Sequence, residues 1–189
     1  NRIEQHKPLF IGDDLRIELS TGDLFRHEKG QMFNIKFQIL RGGHLVWQAT
    51  QSTLCRVVKQ PVGEQYRSVM HSETRLSRQA SFSVPANIGR LYGKVSGDVN
   101  PIHLTTLTAR AFGFKRAIAH GMWTKARALS ALLPEGITER AMAEVEFKLP
   151  LYLPGTVSLW SNRSAQCAKF ELRDRQGEKP HLRGQLRFS

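Results

Sequence analysis

Strict alternation of apolar and polar residues predicts β-strands in both halves of the chain. It is clearest in residues 33–39 (FNIKFQI) and 145–149 (VEFKL). Alternation of this kind places one apolar face against a core and one polar face in solvent. Gly42-Gly43 follows the first stretch and predicts a hairpin turn. Further strands are predicted at 45–47, 157–160, 170–172 and 185–188, the last three completing an antiparallel meander.

Helical patterns are confined to residues 81–135. Capping residues, apolar spacing and terminal glycines predict three helices there. The first is capped by Asn87 and ended by Gly97; the second is capped by Thr105 or Thr106 and closed by Gly113; the third runs from Gly121 to Leu133 and is stopped by Pro134 and Gly136.

The two halves of the chain resemble each other weakly. Residues 7–12 (KPLFIG) are similar to 149–155 (LPLYLPG), and 37–41 (FQILR) are similar to 170–174 (FELRD). In each half the matching segments occur in the same order among predicted strands. The pattern indicates two units of related architecture.

The polar segment 59–80 separates these halves. We therefore expect a partial N-terminal unit of strands at 1–58, a linker at 59–80 and a complete unit at 81–189. Because the first half shows no helices and residue 1 is not methionine, we expect either that an N-terminal portion is missing or that the first half is a remnant without helices.

The composition is that of an ordinary globular protein, with 40% hydrophobic and 23% charged residues, but the formal net charge is +12. Basic residues are spread along the chain, only three Tyr and three Trp are present, and no recognition motif appears, which argues against a nucleic-acid partner. A phosphate-rich carrier such as coenzyme A, or an acidic carrier protein, needs only a local basic patch.

Nothing in the sequence indicates a membrane span or a secretory signal. No apolar run approaches the roughly 20 residues that cross a bilayer. Cys55 and Cys167 are far apart and belong to no metal or redox motif. We therefore expect a cytoplasmic protein.

The densest polar cluster is the segment 92–103, YGKVSGDVNPIH. Pro101 keeps Asn100 out of the helical region, so Asp98 and His103 can face one cavity from a turning segment. A carboxylate and an imidazole on two sides of a substrate can add or remove water across a double bond. Taken singly, each polar residue also has a structural explanation as a turn, a helix cap or a core histidine.

The segment 92–114, YGKVSGDVNPIHLTTLTARAFGF, followed by IAHGM, resembles the signature of MaoC-like (R)-specific enoyl-thioester hydratases. The resemblance covers about a quarter of the chain. Gly93 stands where alanine is usual in that family, and we expect no consequence. The matching positions are Tyr92, Ser96, Gly97, Asp98, Asn100, Pro101, His103, Ala109 and Phe114.

The resemblance implies an α+β hotdog fold, an antiparallel sheet around one long helix, and here a double hotdog whose N-terminal unit is helix-poor or truncated. It implies that Asp98 activates water for attack on C3, that His103 delivers a proton to C2, and that Asn100 orients them. The N–H of Gly121 would polarise the thioester carbonyl. No metal or redox cofactor is implied; coenzyme A or acyl carrier protein would carry the acyl group.

Further substrate contacts are expected at Ser96, His120, Met122, Trp123, Lys115 and Arg116. The two basic residues would meet carrier phosphates at a pocket mouth, although a solvated loop and core packing are the simpler explanations for several of these residues. The resemblance implies a homodimer or higher oligomer. Two other functions remain open: acyl-CoA thioesterase and non-catalytic acyl-thioester binding.

Overall fold

The computed structural model describes residues 1–68, 70, 75–133 and 139–189. The described residues form ten strands and three α-helices, an α+β arrangement, as predicted. The strands are β1 (Arg2–Gln5), β2 (Arg16–His27), β3 (Gly30–Arg41), β4 (His44–Cys55), β5 (Glu64–Gln65), β6 (Ser77–Val84), β7 (Ala141–Phe147), β8 (Gly155–Arg163), β9 (Cys167–Asp174) and β10 (Pro180–Phe188). The helices are α1 (Ile88–Ser96), α2 (Thr106–Ala111) and α3 (Gly121–Ser130).

The chain forms two compact units, and the division of residues between them falls within β7 and within β10. The first consists of Asn1–His71, Pro134–Glu144 and Gln185–Ser189, and the second of Ser72–Leu133 and Val145–Gly184. The range predicted as a linker, 59–80, contains β5 and the first part of β6. The expected domain boundaries stay a prediction.

The first unit is a sheet with strand order β5-β2-β3-β4-β1-β7. The predicted hairpin is confirmed: β3 and β4 pair antiparallel, and the turn glycines Gly42 and Gly43 have φ of 57° and 79°. No helix occurs among the described residues of this unit. The longest strand not foreseen from sequence is β2. It is mostly exposed, its alternation is limited to residues 16–20 (RIELS), and an irregularity interrupts its pairing between Thr21 and Leu24.

The second unit has the strand order β7-β10-β9-β8-β6, with β8 antiparallel to both β9 and β6. The core of this unit is apolar and almost wholly buried. Its members include Val84, Ala109, Ala128, Val157, Leu159, Phe170, Leu172 and Leu182. The strands predicted at 157–160, 170–172 and 185–188 are confirmed by β8, β9 and β10. The strand predicted at 145–149 is confirmed only as far as Phe147, where β7 ends.

The three predicted helices are confirmed, but the third is shorter at its C-terminal end than predicted. Gly97 ends α1 in the left-handed conformation with φ of 75°, and the Thr105 side chain caps α2 by accepting from Thr108 N. The long helix was predicted to reach Leu133, but α3 ends at Ser130. The stop residues Pro134 and Gly136 lie outside the described residues. No helix in the described part of the chain is long and apolar enough to span a bilayer.

Candidate active site

The site is built on the loop between α1 and α2, in the second unit. Ser96 ends α1 and acts as a local cap: its Oγ donates to Tyr92 O at 2.9 Å and accepts from Asp98 N at 3.2 Å. The carboxylate Oδ1 of Asp98 accepts from Asn100 N at 3.2 Å. These short-range bonds shape the turn that presents the Asp98 carboxylate, whose side chain is 53% exposed.

Asn100 and Pro101 then start a short 3₁₀ helix, Pro101–His103. Asn100 is extended, with φ of −55° and ψ of 126°, as the following proline predicts. Its Oδ1 accepts from Ile102 N at 3.3 Å. The Asn100 carbonyl oxygen also accepts from His103 N at 3.0 Å. Asn100 therefore positions the segment between Asp98 and His103 through three hydrogen bonds.

His103 is buried, with 8% of its surface exposed. Its Nδ1 lies 2.8 Å from the carbonyl oxygen of Ile118. A carbonyl only accepts, so Nδ1 carries the hydrogen and Nε2 carries the lone pair in the neutral ring. Ile118 is itself fixed, because its N–H donates to Ile102 O at 3.1 Å.

Burial is the main reason why the pKa of His103 lies below its usual value. The hydrogen bond that His103 donates to the Ile118 carbonyl and the charge of Asp98 raise this pKa, and the charge of His120 lowers it further. His103 is therefore expected to be neutral at pH 7, with Nε2 ready to accept a proton.

His120 lies against His103 rather than in a separate part of the core. The two rings stack with centroids 3.7 Å apart and planes inclined by 29°. His120 Nε2 donates to the main-chain oxygen of Asp98 at 2.9 Å and lies 3.7 Å from Asp98 Oδ2. The Tyr92 ring packs against the His120 ring, with centroids 4.9 Å apart.

Asp98, His103 and His120 each offer a ligand-type atom, and these atoms lie within 4.8 Å of one another. The spacing alone would suit a metal ion. However, each imidazole already gives one nitrogen to a main-chain carbonyl, Ile118 O for His103 and Asp98 O for His120. We interpret the cluster as a site for holding water and moving protons.

A cavity of about 190 Å³ opens beside His103. Gly121, the first residue of α3, also lines it, and a main-chain N–H at this position has no acceptor within its helix. Asp98 lies outside the lining, next to His103. The other lining residues are Ile118, Ala119, Thr124, Phe147, Lys148, Leu149, Pro150, Leu151 and His181.

The structure brings together Ser96, Asp98, Asn100, His103 and His120, and places Gly121 on the cavity. None of the six expected substrate contacts lines this cavity: Ser96, His120, Met122, Trp123, Lys115 and Arg116. Arg116 instead lies over the ring of Tyr152, 5.8 Å from its centroid. Sequence reasoning missed Thr124, Phe147, Lys148 and His181. Phe147 and Lys148 lie within the strand predicted at 145–149 and His181 precedes the strand predicted at 185–188, and no local pattern marks them as site residues.

Gly93 matters more than expected. A β-carbon at this position would lie 2.9 Å from the main-chain oxygen of Asp98. Alanine at 93 would therefore require Asp98 to shift. The same oxygen accepts the hydrogen bond from His120, so the helix α1 and His120 together fix the main chain at Asp98.

Comparisons with known proteins identify the fold and the family of this chain. Over its full length the chain is 28% identical to 3-hydroxyacyl-thioester dehydratase X of Mycobacterium tuberculosis, covering 99% of this chain and 66% of that protein. The chain thus spans just under two thirds of that relative. The crystal structure of HtdX from the same organism aligns with a TM-score of 0.77 at 25% identity, covering 100% of this chain and 72% of that one.

A MaoC-like dehydratase from Phytophthora capsici has the same fold, with a TM-score of 0.80 at 19% identity over 100% of this chain and 69% of that one. The predicted hotdog fold is thereby confirmed. The family model described as a MaoC like domain matches residues 59–183, which include every residue of the site. This chain belongs to the MaoC-like dehydratase family.

Proposed function

We propose that this chain catalyses the reversible hydration of trans-2-enoyl thioesters to (3R)-3-hydroxyacyl thioesters, as a hydro-lyase. The observation that carries the proposal is the pairing of Asp98 and His103. A carboxylate oxygen of one and a ring nitrogen of the other lie within 4.8 Å, beside a cavity that Gly121 also lines. A relative along the full chain carries the name 3-hydroxyacyl-thioester dehydratase, which supports this class of reaction.

The spacing suits one water molecule between the two side chains. Hydrogen bonds of about 2.8 Å on each side allow a single water to bridge acceptors up to about 5.6 Å apart. Both the ionised carboxylate of Asp98 and the neutral Nε2 of His103 are acceptors, so the water directs one hydrogen to each. Its oxygen lone pairs are then free to attack C3.

The division of labour in this proposal differs from the one that the family resemblance implied. Because Nδ1–H of His103 is held by Ile118 and its pKa is lowered, the resting ring has no proton on Nε2 to deliver. His103 therefore first takes a proton from the water as the oxygen bonds to C3, and then gives that proton to C2. The carboxylate of Asp98 holds the water and stabilises the transient imidazolium.

The thioester oxygen gains negative charge when C3 is attacked. The N–H of Gly121 at the start of α3 is the donor we assign to this oxygen, aided by the positive end of the helix. The net result is OH on C3 and H on C2, both from one water. The reverse sequence removes water from the (3R)-hydroxyacyl thioester.

The acyl group would be carried by coenzyme A or an acyl carrier protein, and no metal or redox cofactor takes part in these steps. A cytoplasmic location and assembly as a homodimer or higher oligomer belong to the same proposal. They are testable by fractionation and by light scattering.

The direct test is to incubate the purified chain with crotonyl-CoA and follow loss of the conjugated thioester. The product is then offered separately to (3R)- and (3S)-specific 3-hydroxyacyl-CoA dehydrogenases, and free thiol is measured in parallel. The proposal expects a product oxidised by the (3R)-specific enzyme and no thiol release. Thiol release without hydration would indicate a thioesterase, and binding without turnover a non-catalytic module.

A further inference from the structure

His120 is the N-cap residue of α3, but its side chain does not cap that helix. The residue is extended, with φ of −63° and ψ of 137°, and its ring reaches back to the α1–α2 loop. Its Nε2 donates to Asp98 O across 22 residues of sequence. The bond therefore ties the start of α3, where Gly121 lies, to the loop that carries the Asp98 carboxylate.

The His120 ring is buried at a cost. Its side chain is 2% exposed, and its Nδ1 has no hydrogen-bond partner among the described residues. Leaving a buried polar nitrogen unpaired usually lowers stability, whereas phenylalanine would fill similar space without that penalty. A polar ring at this position therefore requires an explanation other than packing.

His120 touches both members of the Asp98–His103 pair without lining the cavity. Its ring stacks on the His103 ring with centroids 3.7 Å apart, and its Nε2 donates a hydrogen bond to the main-chain oxygen of Asp98. We propose that His120 is a positioning residue for the hydration reaction: it sets the separation of Asp98 from His103 and holds the His103 ring in orientation. This inference rests on the function proposed above.

His120 also acts on His103 through charge. Its effect on the pKa of His103 is to lower it, in the same direction as burial. The other titratable groups around this pair are Tyr92 on α1, Asp98 on the loop, and Lys148 and His181, which share the cavity lining with His103. Lys148 is paired with Glu146, so its charge is largely compensated.

Two variants separate the two contacts. His120→Gln keeps an N–H donor that can reach Asp98 O but removes the ring and its charge. His120→Phe keeps a ring against His103 but removes the donor. The exposed His44 in the β3–β4 hairpin provides the control His44→Gln.

We expect His120→Phe to lower kcat by about 10-fold to 100-fold while KM changes by less than about threefold, because misplaced reacting groups slow chemistry more than binding. His120→Gln should recover much of kcat and move the acid limb of kcat/KM to higher pH. Circular dichroism and thermal melts report folding separately. Loss of kcat in proportion to unfolded protein, with an unmoved acid limb, would overturn the positioning role.

The coupling is also measured without turnover. The ring resonances of His103 are titrated by NMR in wild type, His120→Gln and His44→Gln. The inference expects the His103 midpoint to rise in His120→Gln alone. If wild type proves inactive on enoyl thioesters, the proposed function fails while this titration still decides the coupling; an unchanged His103 midpoint, or Asp98 amide resonances unmoved in His120→Phe, contradicts it.

Discussion

Phe147 packs directly against Gly121. A β-carbon added to Gly121 would lie 2.9 Å from Phe147 Cε1 and 3.0 Å from Cδ1. Phe147 ends β7 and Gly121 begins α3, and both line the cavity beside His103. This contact therefore shapes the space next to the N–H that we assign to the thioester oxygen.

Replacing Gly121 by alanine tests that assignment. The new methyl group must displace the Phe147 ring or the start of α3, so the Gly121 N–H no longer points correctly. We expect Gly121→Ala to lower kcat by about 100-fold, as loss of an oxyanion donor does. Steady-state kinetics with crotonyl-CoA measure this, with the exposed Ala126→Ser in the same helix as control. A kcat within about twofold of wild type would remove the donor role.

Shortening Phe147 should change substrate preference more than chemistry. Its ring is one wall of a cavity of about 190 Å³. Phe147→Leu frees part of that wall, and each additional methylene accommodated in an apolar pocket is worth about 10-fold or more. We expect kcat/KM for octenoyl-CoA to rise relative to crotonyl-CoA by about 10-fold. An unchanged ratio would mean that the acyl chain binds elsewhere.

The pH dependence follows from the lowered pKa of His103. The reaction uses the neutral His103 ring. This neutral form persists at pH values below the ordinary histidine pKa of 6.5, and it is lost only as the pH falls through the lowered pKa of His103 in the folded protein. The acid limb of kcat/KM should therefore lie below pH 6.5. The unfolded chain takes up this proton first, so the His103 contribution to stability also declines as pH falls. A limb above pH 6.5, by kinetics or by NMR of the His103 ring, would contradict the burial argument.

Gly89 supports the site from within α1. A β-carbon there would lie 1.9 Å from the main-chain oxygen of His103. Alanine usually stabilises a helix interior relative to glycine by about 1 kcal/mol, but here it must push His103 away. We expect Gly89→Ala to lower the free energy of unfolding by about 2 kcal/mol and to reduce kcat. At Gly93 an added β-carbon would lie 2.9 Å from the main-chain oxygen of Asp98, a milder clash, so Gly93→Ala should lower both the free energy of unfolding and kcat by less. Denaturant titration ranks the two variants by free energy of unfolding, and steady-state kinetics rank them by kcat.

The conformation of the α1–α2 loop could be predicted from sequence because it is determined by short-range interactions. Gly97 ends α1, Pro101 keeps Asn100 extended, and Thr105 caps α2; each effect depends on neighbours within a few residues. The family signature falls on the same segment. For these reasons the sequence alone predicts Asp98 and His103 as a pair.

The walls of the cavity could not be predicted in the same way. Phe147, Lys148 and His181 come from the end of β7, the segment that follows it and β10, and only tertiary packing brings them to His103. Local periodicity predicts that these segments are strands but not which distant residue each side chain meets. The sequence predicts His120 only as a core histidine or a substrate contact. Its stacking on His103 depends on the position of the start of α3 in the fold, which local sequence does not give.

The central claim is that Asp98 and His103 together hydrate an enoyl thioester. The most direct measurement is the initial rate of crotonyl-CoA hydration by Asp98→Asn and His103→Gln, each compared with wild type and with the exposed controls Asp14→Asn and His44→Gln. We expect folded variants whose rates fall by about 10²-fold to 10⁴-fold, with both controls at wild-type rate. Wild-type rates in Asp98→Asn and His103→Gln would contradict it.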